Sequence, residues 1–381
     1  MKIVIIGGGN IGLAMTSLLS FSKNDVLLLT SKKIDRTLYL FDREENCEKK
    51  SLNFLFSTNK REALTNADLI LCTYPAFLRK KFILEYGNYL KRNAILGFIP
   101  GYGGIEFSCK ELLSRGIIIF GLQRVPFVSR VHNFKDKIQA NILSKKKTLY
   151  LSSIPNHHGP FLSKIMENLL NIPCKTLNYF ASLTLGTSNP LLHTVGVYNI
   201  FKNSNENTQF CKTIKLYESW TDEASELLLK YDEELQKICI ALSGKSHFFN
   251  NLNREVMPLS LYYEAKTASQ MTKKLKSIKA FDSVYAPLKQ ISDNKYVIDL
   301  DSRMFLEDFP FGVCVIKDIS LIVGEDTPAI DTLINFYQKL TGYIYFNQDG
   351  TRGKDYFMLG APGANGIRSV QELESFYLSR C

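Results

Sequence analysis

Apolar residues fall into two regimes along this chain. Up to about residue 180 they come in short continuous runs: Ile3 to Ile6, Val26 to Leu29, Leu69 to Cys72, Ala94 to Phe98, Ile117 to Phe120 and Thr148 to Leu151. Runs of this length, rich in β-branched side chains, suit strands buried on both faces of a parallel sheet. Between the first two, Ile11, Met15, Leu18 and Leu19 fall at i, i+4, i+7 and i+8, one face of a helix. The alternation predicts an α/β fold, a doubly wound parallel sheet over 1–180. Beyond that point long segments of 3.6-residue period take over, which predicts a mostly α-helical C-terminal domain over 181–381.

Several helices of the second half announce their ends. Ala224, Leu227, Leu228, Tyr231, Leu235, Ile238, Cys239 and Leu242 line one stripe of a helix expected from near Ser219 to Gly244. Thr327 as N-cap and Pro328 at the first position open another, which buries Ile330, Leu333, Ile334, Tyr337 and Leu340 and stops at Gly342. Thr187 to His193 also reads as a helix start, with Asn189 capping, Pro190 at the first position and His193 in the first full turn. The stretch from Arg303 to Gly312 reads as a charged loop bounded by Pro310 and Gly312.

Composition narrows the class. The 381 residues are 45% hydrophobic and 22% charged, which is the composition of a globular protein and excludes disordered and low-complexity chains. The 47 Lys and Arg against 37 Asp and Glu give a formal net charge of +10, which favours anionic ligands. Cys47, Cys72, Cys109, Cys174, Cys211, Cys239, Cys314 and Cys381 contain no CxxC pair, so neither a zinc site nor a disulfide framework is expected, and reduced thiols point to the cytoplasm. Ile3 to Ser22 is free of charge, but Gly7, Gly8, Gly9, Asn10 and Gly12 interrupt it after four apolar residues, so it is neither a signal peptide nor a membrane span.

Those glycines carry the first chemical signal. Gly7, Gly9 and Gly12 spell GxGxxG directly after a strand and at the opening of a helix, the context that makes this pattern a Rossmann dinucleotide fingerprint. The pyrophosphate of the dinucleotide sits on the helix N-terminus, where free N–H groups and the dipole favour negative charge. Gly7, Gly9, Asn10, Ile11 and Gly12 are therefore candidate cofactor contacts, with Pro75 beyond them. After the second strand come Thr30, Ser31, Lys32 and Lys33, followed by Arg36. An NAD site usually has a carboxylate at that tip. Two hydroxyls and two ammoniums instead suit a 2′-phosphate, so NADP(H) is the expected cofactor, with NAD(H) as the alternative.

His193 needs a carboxylate partner to act as an acid or base near neutral pH, and the downstream segment offers Glu307 and Asp308. The arrangement resembles the octopine/nopaline type of opine dehydrogenases over nearly the whole chain. The resemblance runs through Gly7 to Gly12, Pro100-Gly101-Tyr102-Gly103-Gly104, Pro126 with Arg130, Asn189-Pro190-x-x-His193, Arg303-x4-Asp308-x-Pro310-x-Gly312, and Gly324-x-x-Thr327-Pro328-x-Ile330-Asp331. It implies a reductive condensation in which an α-keto acid and the amino group of an amino acid form an imine that NAD(P)H reduces. It further implies that His193 is the acid/base, that Asp308 orients it and that Arg303 holds the keto-acid carboxylate, with Gln123, Arg130 and Asn189 as further substrate contacts. The family commonly has an acidic residue where this chain reads Gln123-Arg124-Val125-Pro126.

The expected partners are a small keto acid and an amino acid, not nucleic acid or a membrane, with a homodimer as the candidate assembly. Two other readings stay open: a two-domain reductase of the glycerol-3-phosphate or ketopantoate type, which relies on a catalytic lysine, and a non-catalytic dinucleotide sensor. His157 and His158 read as a loop pair and not as metal ligands. Lys145 to Lys147 and Lys273 to Lys279 read as solvated charge, and Trp220 as core or domain interface.

Overall fold

The structure, a computed structural model, describes residues 1–31, 34 and 36–378. The chain forms two compact units, Met1–Leu183 with Tyr377–Cys381, and Thr184–Phe376.

An eight-stranded sheet organises the first unit. Its order from one edge is Cys174–Thr176, Leu149–Ile154, Ile118–Leu122, Ile95–Phe98, Leu69–Cys72, Lys2–Ile6, Asp25–Leu29 and Phe54–Ser57. Ile3 to Ile6 are fully buried, as an apolar run on a central strand requires. They pair in parallel with Asp25–Leu29 on one side and Leu69–Cys72 on the other. The chain leaves the central strand toward one edge and returns to its opposite side, so a switch point lies beside Lys2–Ile6, and ligands of such sheets bind outside the carboxyl ends there. The expected strand from Thr148 to Leu151 is present as Leu149–Ile154, but it runs antiparallel to Ile118–Leu122.

The apolar runs do not betray a second, four-stranded sheet, ordered Cys47–Lys50, Thr37–Asp42, Lys137–Lys145, Phe127–Asn133. Its two central strands alternate buried and half-buried positions, the period of a sheet with one covered face. Leu38, Leu40, Ile138 and Ile142 turn inward and share a core with Leu13 and Met15 of helix Asn10–Leu19. Each such burial contributes roughly 1.5–3 kcal/mol. This sheet backs the helix that opens at the glycine turn.

The second unit is built mainly from helices, including Ser188–Phe201, Asp222–Lys245, Ala268–Ser277, Cys314–Val323 and Pro328–Thr341, with one hairpin, Leu288–Ser292 and Lys295–Ile298. The long helix starts after Thr221, whose hydroxyl accepts from the Ala224 N–H at 3.1 Å, and continues through Gly244 to Lys245. Trp220 therefore precedes the helix; it is buried, donates to Ser225 Oγ at 2.9 Å and stacks on Tyr217. Pro328 opens the later helix and Gly342, at φ +77°, ends it.

Two local expectations need correction. Helix Ser188–Phe201 is preceded by Thr187, so Asn189 is its second residue and not its cap, and His193 sits in the second turn, where the dipole has largely faded. Residues Met304–Val313 are not a loop but a π-helical segment that runs directly into Cys314–Val323. Pro310 cannot donate a helical hydrogen bond and its ring would strike the carbonyl four residues back in an α-helix. Widening the turn accommodates the ring, and π-turns of this kind concentrate at functional sites.

Candidate active site

The π segment and helix Ser188–Phe201 meet without a spacer. A Cβ on Gly312 would stand 2.4 Å from Pro190 Cβ, so only glycine lets the two backbones approach this closely. Inside the contact, His193 Nδ1 lies 2.8 Å from Asp308 Oδ2. The His193 side chain is 20% exposed and that of Asp308 is 8%. Burial pushes the Asp308 carboxyl above the ordinary carboxylate range, His193 pulls it back, and the neighbouring Glu307 adds to the rise. With Asp308 at Nδ1, the other ring nitrogen, Nε2, is left to exchange protons with a substrate.

Of the two carboxylates that the sequence offered, the structure gives Asp308 to His193 and Glu307 to Arg303. Arg303 Nε donates to Glu307 Oε2 at 2.8 Å, and Nη2 donates to the same oxygen. The Glu307 side chain is 1% exposed and that of Arg303 is 68%, so a buried carboxylate holds a guanidinium whose bulk reaches solvent. Asn189, by contrast, is exposed near the start of its helix. The buried lysine of this unit, Lys317, donates to Thr327 Oγ1 at 2.9 Å and pairs with Asp331 Oδ1 at 2.7 Å, tying together two helices.

In the first unit the glycine turn has the shape a dinucleotide needs. Gly7 sits at φ +112°, and a Cβ on Gly12 would come within 1.8 Å of the Gly7 carbonyl oxygen, so the first and last glycines are demanded by the fold itself. A Cβ on Gly9 would meet nothing within 4 Å. The middle glycine thus keeps open the space above the N-terminus of Asn10–Leu19, where a pyrophosphate would approach bare backbone. The oxygens of Asn10 tie it into the fold. Its Oδ1 accepts from Val131 N at 2.9 Å and its carbonyl accepts from Ser129 Oγ at 3.0 Å, fastening the turn to the small sheet. Ile11 is partly buried, and Pro75 stands immediately before helix Ala76–Tyr86 at the end of a central strand.

At the tip of the second strand, Thr30 is buried and Ser31 exposed, whereas Lys32 and Lys33 lie outside the described residues. Arg36 donates to the Phe134 carbonyl at 2.8 Å and to Asn133 Oδ1 at 3.3 Å. Gln123 follows strand Ile118–Leu122 and is partly buried, while Arg130 is exposed on Phe127–Asn133. The rings of His157 and His158 lie tilted against each other with centres 4.2 Å apart, and no cluster suited to a metal ion occurs among the described residues. Lys145 is not simply solvated: its Nζ lies 2.6 Å from Asp42 Oδ2. No helix among the described residues is long and apolar enough to cross a membrane.

The motifs named Asp308 as the partner of His193 but gave Glu307 no role, and nothing marked Arg79, a fully buried guanidinium on helix Ala76–Tyr86. Glu307 could have been noticed as the residue four places after Arg303, a spacing that pairs side chains on a helix.

Residues 176–341 match the family described as NAD/NADP octopine/nopaline dehydrogenase, alpha-helical domain. An opine dehydrogenase of Haliotis discus hannai is 25% identical over 98% of both chains. A tauropine dehydrogenase of Arabella iricolor is 22% identical over 97% of this chain and 99% of its own. Among solved structures, an octopine dehydrogenase with NADH and L-arginine shares the fold with a TM-score of 0.84 at 19% identity, over 98% of both chains.

Proposed function

We propose that the chain is an opine dehydrogenase of the octopine/nopaline type, joining a pyruvate-like α-keto acid to the amino group of an amino acid with NAD(P)H as reductant; the match of residues 176–341 to that family's helical domain and the opine and tauropine dehydrogenases among its relatives support this reading. The observation that carries this reading is the 2.8 Å contact between His193 and Asp308.

Condensation expels the keto oxygen as water and leaves an imine; reduction then adds a hydride at carbon and a proton at nitrogen, giving a secondary amine. The dinucleotide, when bound, supplies the hydride. His193 handles the protons through Nε2, taking one from the substrate ammonium and delivering one to the departing oxygen. Asp308 fixes the ring and stabilises its protonated form. Arg303 grips the keto-acid carboxylate with its planar fork, and Glu307 sets the direction of that fork. Gln123, Arg130 and Asn189 are assigned to the amino-acid partner. Gly9 and the N-terminus of Asn10–Leu19 take the pyrophosphate.

The preferred reductant is NADPH, because Thr30, Ser31, Lys32 and Lys33 offer hydroxyls and ammoniums and no carboxylate at the strand tip. Charge-assisted contacts to a 2′-phosphate are worth roughly 1.5–3 kcal/mol each, so kcat/KM with NADPH should exceed that with NADH at least about tenfold. The test of the mechanism is His193→Ala: kcat should fall by at least about 10² while dinucleotide affinity holds. Turnover close to wild type would remove His193 from the chemistry.

A further inference from the structure

Helix Ala76–Tyr86 carries a buried cation that the mechanism above does not use. Arg79 is 0% exposed, an expensive position for a guanidinium unless its donors are satisfied. Two are: Nε donates to the Tyr74 carbonyl and Nη1 to the Tyr102 carbonyl, each at 2.8 Å. The group also lies 6.0 Å from the centre of the Phe98 ring and 5.8 Å from that of Tyr102.

The two carbonyls belong to different loops. Tyr74 follows strand Leu69–Cys72 and Tyr102 follows Ile95–Phe98, neighbours in the sheet on the side of the switch point away from Asp25–Leu29. Both loops lie beyond carboxyl ends, where a dinucleotide on this fold extends after its pyrophosphate has passed the glycine turn. Tyr74 reaches that turn directly: its Cδ1 is 3.4 Å from where a Cβ on Gly7 would stand. One rigid planar group therefore sets the distance between two loops that border the crevice, a role for which a lysine has too few fixed donors.

A second buried group stands behind it. Glu106, 1% exposed, accepts from the Tyr377 hydroxyl through Oε1 at 3.0 Å. Its Oε2 and Arg79 Nη2 are both buried without a hydrogen-bond partner among the described residues. Burial pushes the Glu106 carboxyl up to about 8, and the charge of Arg79 works against that rise.

We propose that Arg79 is a positioning residue for hydride transfer: by bridging the Tyr74 and Tyr102 carbonyls it fixes the two loops that hold the nicotinamide end of the cofactor. This rests on the dinucleotide-dependent reading above. The adenosine and pyrophosphate end is held elsewhere, at Gly9 and the tip of the second strand, so the two ends of the cofactor should respond differently to loss of Arg79.

The experiment compares wild type with Arg79→Lys and Arg79→Met, binding NADPH and, separately, 2′-phospho-ADP-ribose, which lacks the nicotinamide. The anisotropy and intensity of bound NADPH fluorescence report how firmly the ring is held, and thermal melting controls for folding. The expected result is fragment affinity within about 2-fold of wild type, bound NADPH with clearly lower anisotropy, and kcat lowered about 10²-fold with the KM for NADPH within about 3-fold. Arg79→Lys carries the test if Arg79→Met fails to fold. Wild-type anisotropy and kcat in Arg79→Lys would overturn the proposal. So would parallel loss of fragment and NADPH affinity in step with melting temperature, which would make Arg79 a purely structural residue. A wild-type protein that binds neither of these ligands nor NADH would instead refute the dinucleotide-dependent reading itself.

Discussion

Replacing Asp308 by Asn changes one atom and leaves the packing around it in place, so its effect isolates the charge. In the folded chain Asp308 Oδ2 is 2.8 Å from His193 Nδ1, and the pair sits where burial has already pushed the carboxyl upward. An ionised Asp308 accepts from Nδ1–H and leaves Nε2 to take the substrate proton. An amide that offers its NH2 to Nδ1 forces the opposite tautomer and cannot stabilise an imidazolium. A hydrogen bond to a charged group is worth roughly 1.5–3 kcal/mol, which alone predicts a loss of about 10- to 150-fold in kcat. The tautomer change adds to this, and the same substitution in a serine-protease triad costs about 10⁴.

Stability should move the other way. Because burial raises the folded-state pKa of Asp308, its ionised form destabilises the fold as pH rises through that pKa, so Asn should leave the melting temperature at pH 7 unchanged or slightly higher. The assay is steady-state turnover at saturating substrates, with dinucleotide affinity and melting temperature measured on the same samples. A kcat within about 3-fold of wild type would refute the claim that the pair acts as one unit.

Other outcomes follow from the same geometry. Gly9→Ala should fold as wild type yet lose dinucleotide affinity, since its methyl group meets no protein atom, whereas Gly12→Ala should lower the melting temperature because its Cβ falls 1.8 Å from the Gly7 oxygen; titration and melting curves of the two variants check this. Gly312→Ala should force the π segment away from Pro190 and lower kcat about as far as Asp308→Asn does, while an unaltered kcat would show that the close approach is incidental to catalysis. Burial pushes the Glu106 carboxyl up to about 8, so the folded state holds its proton where the unfolded chain has released it. Between about pH 4.5 and 8 this group therefore subtracts roughly 1.4 kcal/mol of stability per pH unit, and Glu106→Gln should flatten the fall of melting temperature over that window.

The parts of the fold legible in sequence were those specified locally. Ile3 to Ile6 and Leu69 to Cys72 are buried on both faces, so each strand announces itself as an unbroken run. The glycine turn is equally local, because Gly7 is required by its own φ of +112° and Gly12 by the carbonyl of Gly7 a turn earlier. The small sheet was missed because Thr37–Asp42 pairs with Lys137–Lys145, about a hundred positions away, and because its one-sided burial shows as alternation and not as a run. Pro310 and Gly312 suggested a loop since both disfavour an α-helix, and a wide π turn that tolerates them has no short-range signature. His193 and Asp308 were named from their motifs, but the division of Glu307 and Asp308 between Arg303 and His193 depends on which way the π turn points each carboxylate.

The central claim, that this chain joins two carbon skeletons through one nitrogen, is tested most directly by supplying NADPH and pyruvate or a similar keto acid, first alone and then with each of a panel of amino acids, and weighing the product by mass spectrometry. The account predicts slow oxidation with the keto acid alone, a steep rise with the correct amino acid, and a product mass equal to keto acid plus amino acid, less one water, plus two hydrogens. Full-rate reduction of the keto acid to a hydroxy acid with no amine present would contradict it.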